Sequence, residues 1–565
     1  MIMKTSTYFP YFLFFALATL SIGCTEQSED ASDGPFSLPI DFVALADSLD
    51  QAQPQVHKTL LTNGTEETLE FSEIEWRDVE LVPFIDANFN LPKNKDSYSV
   101  ETTTLQLAPI KTIIYTAQDS SLPVLKASYT FFENTLTKVA IIKRLENPLF
   151  ESQQELIYEP GIGFTFNTSQ KVERVFEREA SILYRFAAAP QAFLGKMQFN
   201  DSIDLPIHFT WNSSDEIMSI DNTGEHIVVS DVTRKGDTTI LRLPVFQSEF
   251  RVVQQNSKWT GFWYDLDRGS NYRIPFTAEG TALVQENTAD YQDMPHTKYQ
   301  VGFGKGEDIT TAIGLFENHG KHIYGSFATE TGDYRFLRGS LENSKLVLST
   351  FDGIHAYVFT AELEEDGSLM NGIFYSGNHY SNAWGGAPNA NIALTDPSQM
   401  NTASTDQVAF SLPNLAGEQV TLLDEQFRNK PLLITIMGSW CPNCMDESRL
   451  LNELYAQYQP QGLEIVAVAF ERKADFEEAL PPLLKASKDL NISYPVLFGG
   501  RLGKESVKRV FPQLDEIKSY PTLLVLNKNH EIINVHTGFY GPGTGAYYTS
   551  FVKEINEEIA SLLTK

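Results

Sequence analysis

Cysteine is nearly absent from this chain: 565 residues hold only three, Cys24, Cys441 and Cys444. So few thiols exclude a disulfide framework and a four-thiolate zinc site, and they leave each sulfur open to a separate task. Positive charge is also short. Lysine and arginine total 43 against 73 acidic residues, a formal net charge of −30. With no Lys/Arg-rich stretch to offset that charge, the chain repels phosphate backbones, which argues against a nucleic-acid partner. It also lacks a basic face for anionic lipid, so a covalent anchor is the easier route to a membrane. The apolar run from Phe9 to Ile22 is shorter than the roughly 20 residues a spanning helix needs. Hydrophobic content of 42% and charged content of 21% are ordinary for globular protein. The length exceeds the roughly 250–300 residues at which single cores stop growing, which predicts several domains.

At the N-terminus Lys4 precedes that apolar run, which ends in Leu20-Ser21-Ile22-Gly23-Cys24. A short apolar core behind a cation fits an export signal. Small residues before a cysteine, followed by Thr25-Glu26-Gln27-Ser28-Glu29-Asp30, resemble a bacterial lipoprotein signal, although the leucine stands one place earlier than usual. The resemblance implies a signal peptide over 1–23, acylation of Cys24 and a lipid-anchored protein of the cell envelope. The Ser, Asp, Glu, Gly and Pro of residues 24–39 suit a flexible tether.

Residues 40–192 alternate apolar and polar positions, as in Leu136-Thr137-Lys138-Val139-Ala140-Ile141-Ile142, between Asn, Gly, Pro and Asp breaks. Period-two alternation predicts a first β-rich domain. Turn signals at Asn318-His319-Gly320, Gly332-Asp333, Glu342-Asn343, Asp352-Gly353 and Asp366-Gly367 predict a second block over 193–387, a β-barrel or sandwich-like meander. The polar, Pro-containing segment 388–406 reads as a linker. Trp259, Trp263, Tyr264, His379, Tyr380 and Trp384, and the pair Asp352 and His355, read chiefly as packing and turn residues, with a ligand role as the minor alternative. His319 and His322 flank a turn with no third ligand nearby, so no metal site is assigned.

From Gln407 the texture changes to strands alternating with helices. Leu432–Met437 is a buried strand, a helix follows Pro442, and Leu463–Phe470 is a second strand, a βαβ unit with Cys441 at the strand-to-helix junction. A thiolate is the nucleophile in thiol chemistry, and a helix N-terminus favours the anion. Cys444 lies one turn on, on the same face, within reach of a disulfide. The pair therefore reads as a redox disulfide, with Cys441 attacking and Cys444 resolving. A purely structural disulfide and half of a metal site are the other readings of two cysteines so spaced.

Gly438-Ser439-Trp440-Cys441-Pro442-Asn443-Cys444, Glu447, Glu471, Ser519-Tyr520-Pro521-Thr522 and Gly538-Phe539-Tyr540-Gly541-Pro542-Gly543 together resemble the TlpA-like branch of the thioredoxin superfamily. The resemblance covers residues 407–565. It implies an α/β thioredoxin-like domain behind the two β-rich domains, with Pro521 a cis-proline beside the redox pair. It also implies that Trp440, Tyr520 and Pro521 meet a substrate chain, and that Glu471 takes the proton of Cys444. The implied partners are exported protein thiols or disulfides and an envelope electron donor, with no cofactor. The Pro-Asn dipeptide between the cysteines departs from the Gly-Pro of ordinary thioredoxins, which leaves the direction of electron flow open; the usual role of TlpA-like lipoproteins favours reduction.

Two other functions compete. A thiol peroxidase of the peroxiredoxin type needs Pro-x-x-x-Thr/Ser-x-x-Cys, whereas Ile434-Thr435-Ile436-Met437-Gly438-Ser439-Trp440 precedes Cys441. Alternatively the β-domains could be the working part of a binding lipoprotein, with the redox domain as an accessory.

Overall fold

The computed structural model describes residues 35–564 except 63–64, 72, 148–149, 173–175, 270, 282–290, 307 and 402. Cys24, the signal segment and most of the tether lie outside the described residues. The chain divides into two compact units, the second comprising Ala188–Lys565 with Thr103–Lys111 and Phe132–Asn134. Among the described residues no helix is long and apolar enough to cross a membrane.

The first unit is built on a nine-stranded sheet. Successive strands from Tyr98–Thr104 to Phe176–Phe186 lie side by side, and the hairpin Val56–Thr62/Thr65–Phe71 adds to Phe176–Phe186. A helix, Phe42–Ala52, was not anticipated from the alternating pattern. Asp41 caps it, its carboxylate accepting from the Val43 and Ala44 N–H groups, as an N-cap should. Phe42 and Ala46 then bury against a core that includes Trp76, Phe84 and Phe164.

The block 193–387, expected as one barrel or sandwich, holds two nine-stranded sheets. In one, Gln191–Gln198 pairs antiparallel with Arg273–Gly280 at the centre, and the strands at the two edges, Glu225–Val229 and Asp231–Lys235, are separated in sequence by Ser230 alone. In the other, Thr310–His319 pairs with both Lys298–Phe303 and His322–Thr329, which closes the sheet on itself. Only the two-residue strand Gly332–Asp333 stays outside that ring, paired with Ala328 and Thr329. Trp259 and Trp263 fill the core of the first sheet and Trp384 that of the second. Tyr380 is exposed. The linker segment is seated rather than free: Ile392 and Leu394 pack with Ile313, Ala328 and Tyr540.

The C-terminal domain has a five-stranded sheet. Its elements are β1 (Leu432–Met437), α1 (Pro442–Tyr458), β2 (Glu464–Glu471), α2 (Phe476–Asp489), β3 (Val496–Arg501), α3 (Lys504–Val510), β4 (Thr522–Leu526), β5 (Ile532–Thr537) and α4 (Ala546–Thr564). The order is β3-β2-β1-β4-β5. β1 runs parallel to β2 and antiparallel to β4. Every residue of β1 and β2 is buried, as central strands covered on both faces require. One face carries Leu450, Leu454, Leu483, Ile555 and Ile559 from α1, α2 and α4, and the other carries Val507, Val510, Phe427 and Leu422.

Candidate active site

β1 delivers the chain to Gly438, where the turn leading into α1 begins. Cys441 is the N-cap of α1 in an extended conformation, and Pro442 occupies the first helical position, where a missing N–H costs nothing. The Cys444 N–H donates to Cys441 Sγ at 3.2 Å, so the sulfur itself caps the helix. Cys441 and Cys444 are joined as a disulfide. Both residues are buried, Cys441 at 6% exposure and Cys444 at 1%, so Cys441 is the less enclosed of the two.

Three segments surround the pair. The Tyr520–Pro521 peptide is cis, and the Tyr520 carbonyl oxygen lies 3.6 Å from Cys441 Sγ. Trp440 donates its indole N–H to the Phe470 carbonyl at 3.0 Å and meets the Tyr520 ring edge-on. The Arg472 guanidinium lies 5.6 Å from the Trp440 ring centroid. Asn443, between the cysteines, donates from Nδ2 to the Phe539 carbonyl at 3.2 Å.

Glu471 ends β2, as expected, but both its oxygens are engaged by Ser439: Oε1 accepts from the backbone N–H at 2.7 Å and Oε2 from the hydroxyl at 2.8 Å. It therefore holds the turn before Cys441. Burial raises its pKa while the Ser439 bonds oppose that rise. A second carboxyl, Glu447, lies one helical turn after Cys444. It is 1% exposed and accepts from Thr435 Oγ1, its Oε1 has no partner, and burial pushes its pKa up to about 8. Sequence reading noted Glu447 only as a matching position. Nothing in the sequence marks it: Asp446-Glu447-Ser448 reads as a solvated helix face, and the structure buries all three.

Glu447 is buried against β1 of its own domain, whereas Asp446 is buried because residues of the closed sheet meet α1 there. Asp446 faces Arg335, whose Nε and Nη2 donate to its two oxygens at 2.9 Å each. Arg335 also meets Glu225 at 2.9 Å and Asp352 at 3.7 Å. Burial works against the guanidinium charge, and these three carboxylates more than offset it, so its pKa is raised. Asp352, read from sequence as a turn residue with His355, does accept from the His355 N–H at 2.7 Å, and additionally completes this cluster. Met445 of α1 packs with Val245, Phe246, Ile354, Ala486 and Leu490.

The turn Glu330–Asp333 touches residues around the disulfide, among them Asn443 between the two cysteines. Ser519 Oγ donates to the Thr331 carbonyl at 2.7 Å. Asp333 Oδ2 accepts from Asn443 Nδ2 at 3.3 Å and from the Gly541 N–H, and burial pushes the Asp333 carboxyl up to about 7. Sequence reading took Gly332-Asp333 as a turn signal only. Nothing in local spacing ties it to residues more than a hundred positions on.

Comparison with known proteins bears on the C-terminal region. The AhpC/TSA family matches residues 405–535. Thiol-disulfide oxidoreductase ResA of Halalkalibacterium halodurans is 28% identical over 139 residues, 24% of this chain and 69% of the relative. The protein of that name from Geobacillus thermodenitrificans is 29% identical over 130 residues, 23% of this chain and 66% of the relative. The chain thus spans about two thirds of the length of these relatives. Among solved structures, a thiol-disulfide oxidoreductase from Bacteroides fragilis is 24% identical, covering 27% of this chain and 98% of that one with a TM-score of 0.21. Behind its large β-rich region, the chain ends in a thioredoxin-like domain that is similar to these thiol-disulfide oxidoreductases.

Proposed function

We propose that the protein is an envelope thiol–disulfide oxidoreductase that reduces disulfides of exported proteins, tethered through a lipidated Cys24. The observation that carries this reading is the Cys441–Cys444 disulfide at the N-terminus of α1, with Cys441, the less buried of the two, beside the Tyr520 carbonyl.

In the reduced form the Cys441 thiolate, favoured by the helix N-terminus, attacks a substrate disulfide. The Cys441–substrate S–S bond forms, the substrate S–S bond breaks, and one substrate sulfur leaves as thiolate and takes a proton. Cys444 then gives up its proton and attacks Cys441 Sγ. The intramolecular disulfide forms, the second substrate sulfur leaves, and two electrons have passed to the substrate. An envelope electron donor supplies two electrons to restore the dithiol. Trp440, Tyr520 and Pro521 bound the surface along which a substrate chain lies. Glu471 serves by fixing Ser439, while Glu447, one helical turn beyond Cys444 with Oε1 unpartnered and its carboxyl pushed up by burial to about 8, serves as the group that holds a proton.

The test is the Cys444→Ser variant, which leaves the attacking thiol without its resolving partner. Exported substrates should accumulate as mixed disulfides on Cys441, visible as adducts that a reducing agent dissolves. Absence of adducts, with the variant folded and present in the envelope, would sink the reading. A second reading, small-ligand binding by the β-sheets, has one observation in its favour: a cavity of about 300 Å³ lined by His208, Asp221, Lys321, His322 and Arg338 among others.

A further inference from the structure

A substrate chain exchanging with Cys441 must bring its own sulfur to bonding distance, about 2 Å, and so must lie across the surface formed by Asn443, the Ser519–Pro521 segment and Gly538–Gly541. In the described state that surface is already taken. Three consecutive residues of the closed sheet each touch a different part of it. The Thr331 carbonyl accepts from Ser519 Oγ at 2.7 Å, and lies so close to Gly538 that a Cβ built there would stand 2.6 Å from it. Gly332 packs on Asn443, where an added Cβ would fall 3.1 Å from Nδ2. Asp333 accepts from Asn443 and from the Gly541 N–H.

The turn also stands apart from the closed ring. Gly332–Asp333 lies outside the closed ring and pairs with it at Ala328 and Thr329. Within the turn Thr329 Oγ1 donates to the Gly332 carbonyl at 2.9 Å and accepts from the Thr331 N–H at 3.3 Å, while Glu330 at its start accepts from the Thr395 N–H and hydroxyl at 3.3 and 3.2 Å. Just beyond, Arg335 is fixed by its bidentate contact with Asp446. Lifting the turn therefore breaks its three hydrogen bonds to the redox domain while the anchor behind it stays in place.

We propose that the Glu330–Asp333 turn is an internal occupant of the substrate surface, which a protein substrate must displace before its disulfide reaches Cys441, so that the closed sheet selects substrates by their ability to compete with it. The proposal rests on the exchange reading above, since it presumes that protein chains are what approach Cys441. A turn in equilibrium between seated and lifted forms lets small reagents in past it, and bulky ones only in the lifted fraction.

The experiment compares two maleimides on the reduced full chain, N-ethylmaleimide and a long-chain polyethylene glycol maleimide, with the modified cysteine identified by mass spectrometry. Asp333→Ala removes two of the three hydrogen bonds. It should raise the Cys441 reaction rate with the bulky reagent by roughly fivefold or more, and leave the small reagent within about twofold. Gly332→Ala, which presses a methyl group toward Asn443, should act in the same direction and decides the matter if Asp333→Ala loses its fold. Equal relative rates of the two reagents in wild type and both variants would overturn the proposal. Alkylation needs only a thiol, so a protein that formed no mixed disulfides would still report on the turn, and the two readings fail separately.

Discussion

Arg335 of the closed sheet donates through two nitrogens to both carboxylate oxygens of Asp446, two residues past the resolving cysteine. Both side chains are buried, Arg335 at 2% exposure. Buried ion pairs gain little over apolar replacements, but removing one partner leaves an uncompensated charge. Arg335→Met should therefore cost about 3–5 kcal/mol. The Arg335→Met/Asp446→Leu double variant should recover much of that loss, although Glu225 and Asp352 keep their charges. Denaturant midpoints of the four proteins in the cycle provide the measurement. A single variant as stable as wild type would show that the cluster contributes nothing to holding α1 against the sheet.

Glu447 predicts a pH dependence with a definite sign. In the unfolded chain its carboxyl ionises near the ordinary value of 4.5, whereas burial holds the proton to about 8 in the fold. The folded state thus binds the extra proton between those values. Its contribution to stability is fully present below about pH 4.5, is lost as pH rises toward 8, and is flat above. Glu447→Gln cannot ionise, so relative to wild type it should gain stability progressively across that window, by roughly 3–5 kcal/mol at its upper end. Thermal midpoints of both proteins along a pH series give the difference. A constant offset would show that Glu447 does not titrate in that range.

The redox segment was legible because its chemistry is local. A buried strand, a cysteine at the junction and a proline at the first helical position fix one another within a dozen residues, and β1 has the span read from Leu432-Leu433-Ile434-Thr435-Ile436-Met437. What escaped was long-range. Phe193 pairs with Gly280, and nothing in either strand distinguishes that partner from its hairpin neighbours, so the barrel or sandwich-like block was legible but the order of its strands was not. The Phe42–Ala52 helix carries apolar residues at Phe42, Leu45, Ala46 and Leu49 with Asp41 as cap, a helical period overlooked beside strongly alternating strands. Arg335 and Asp446 are 111 residues apart. Each reads alone as a solvated charge, and only packing reveals that neither is.

Glu471 and Glu447 can be separated by experiment, because their geometries assign them different work. Glu471 accepts two hydrogen bonds from Ser439, and a glutamine in its place keeps an acceptor for the backbone N–H while its amide can donate to the hydroxyl oxygen. Glu471→Gln should therefore retain insulin-disulfide reduction within about twofold. Glu471→Ala leaves the Ser439 N–H without its partner and should cost about 1–3 kcal/mol, with a slower exchange rate as the turn before Cys441 loosens. Were Glu471 instead the proton acceptor of Cys444, Glu471→Gln would slow resolution of a preformed mixed disulfide as severely as Glu471→Ala and would change its pH profile. Under the assignment favoured by the geometry, that change in profile belongs to Glu447→Gln. Stopped-flow resolution of a Cys441 mixed disulfide across the pH range where Glu447 titrates distinguishes the two carboxyls, because a positioning residue is rescued by its amide and a proton acceptor is not.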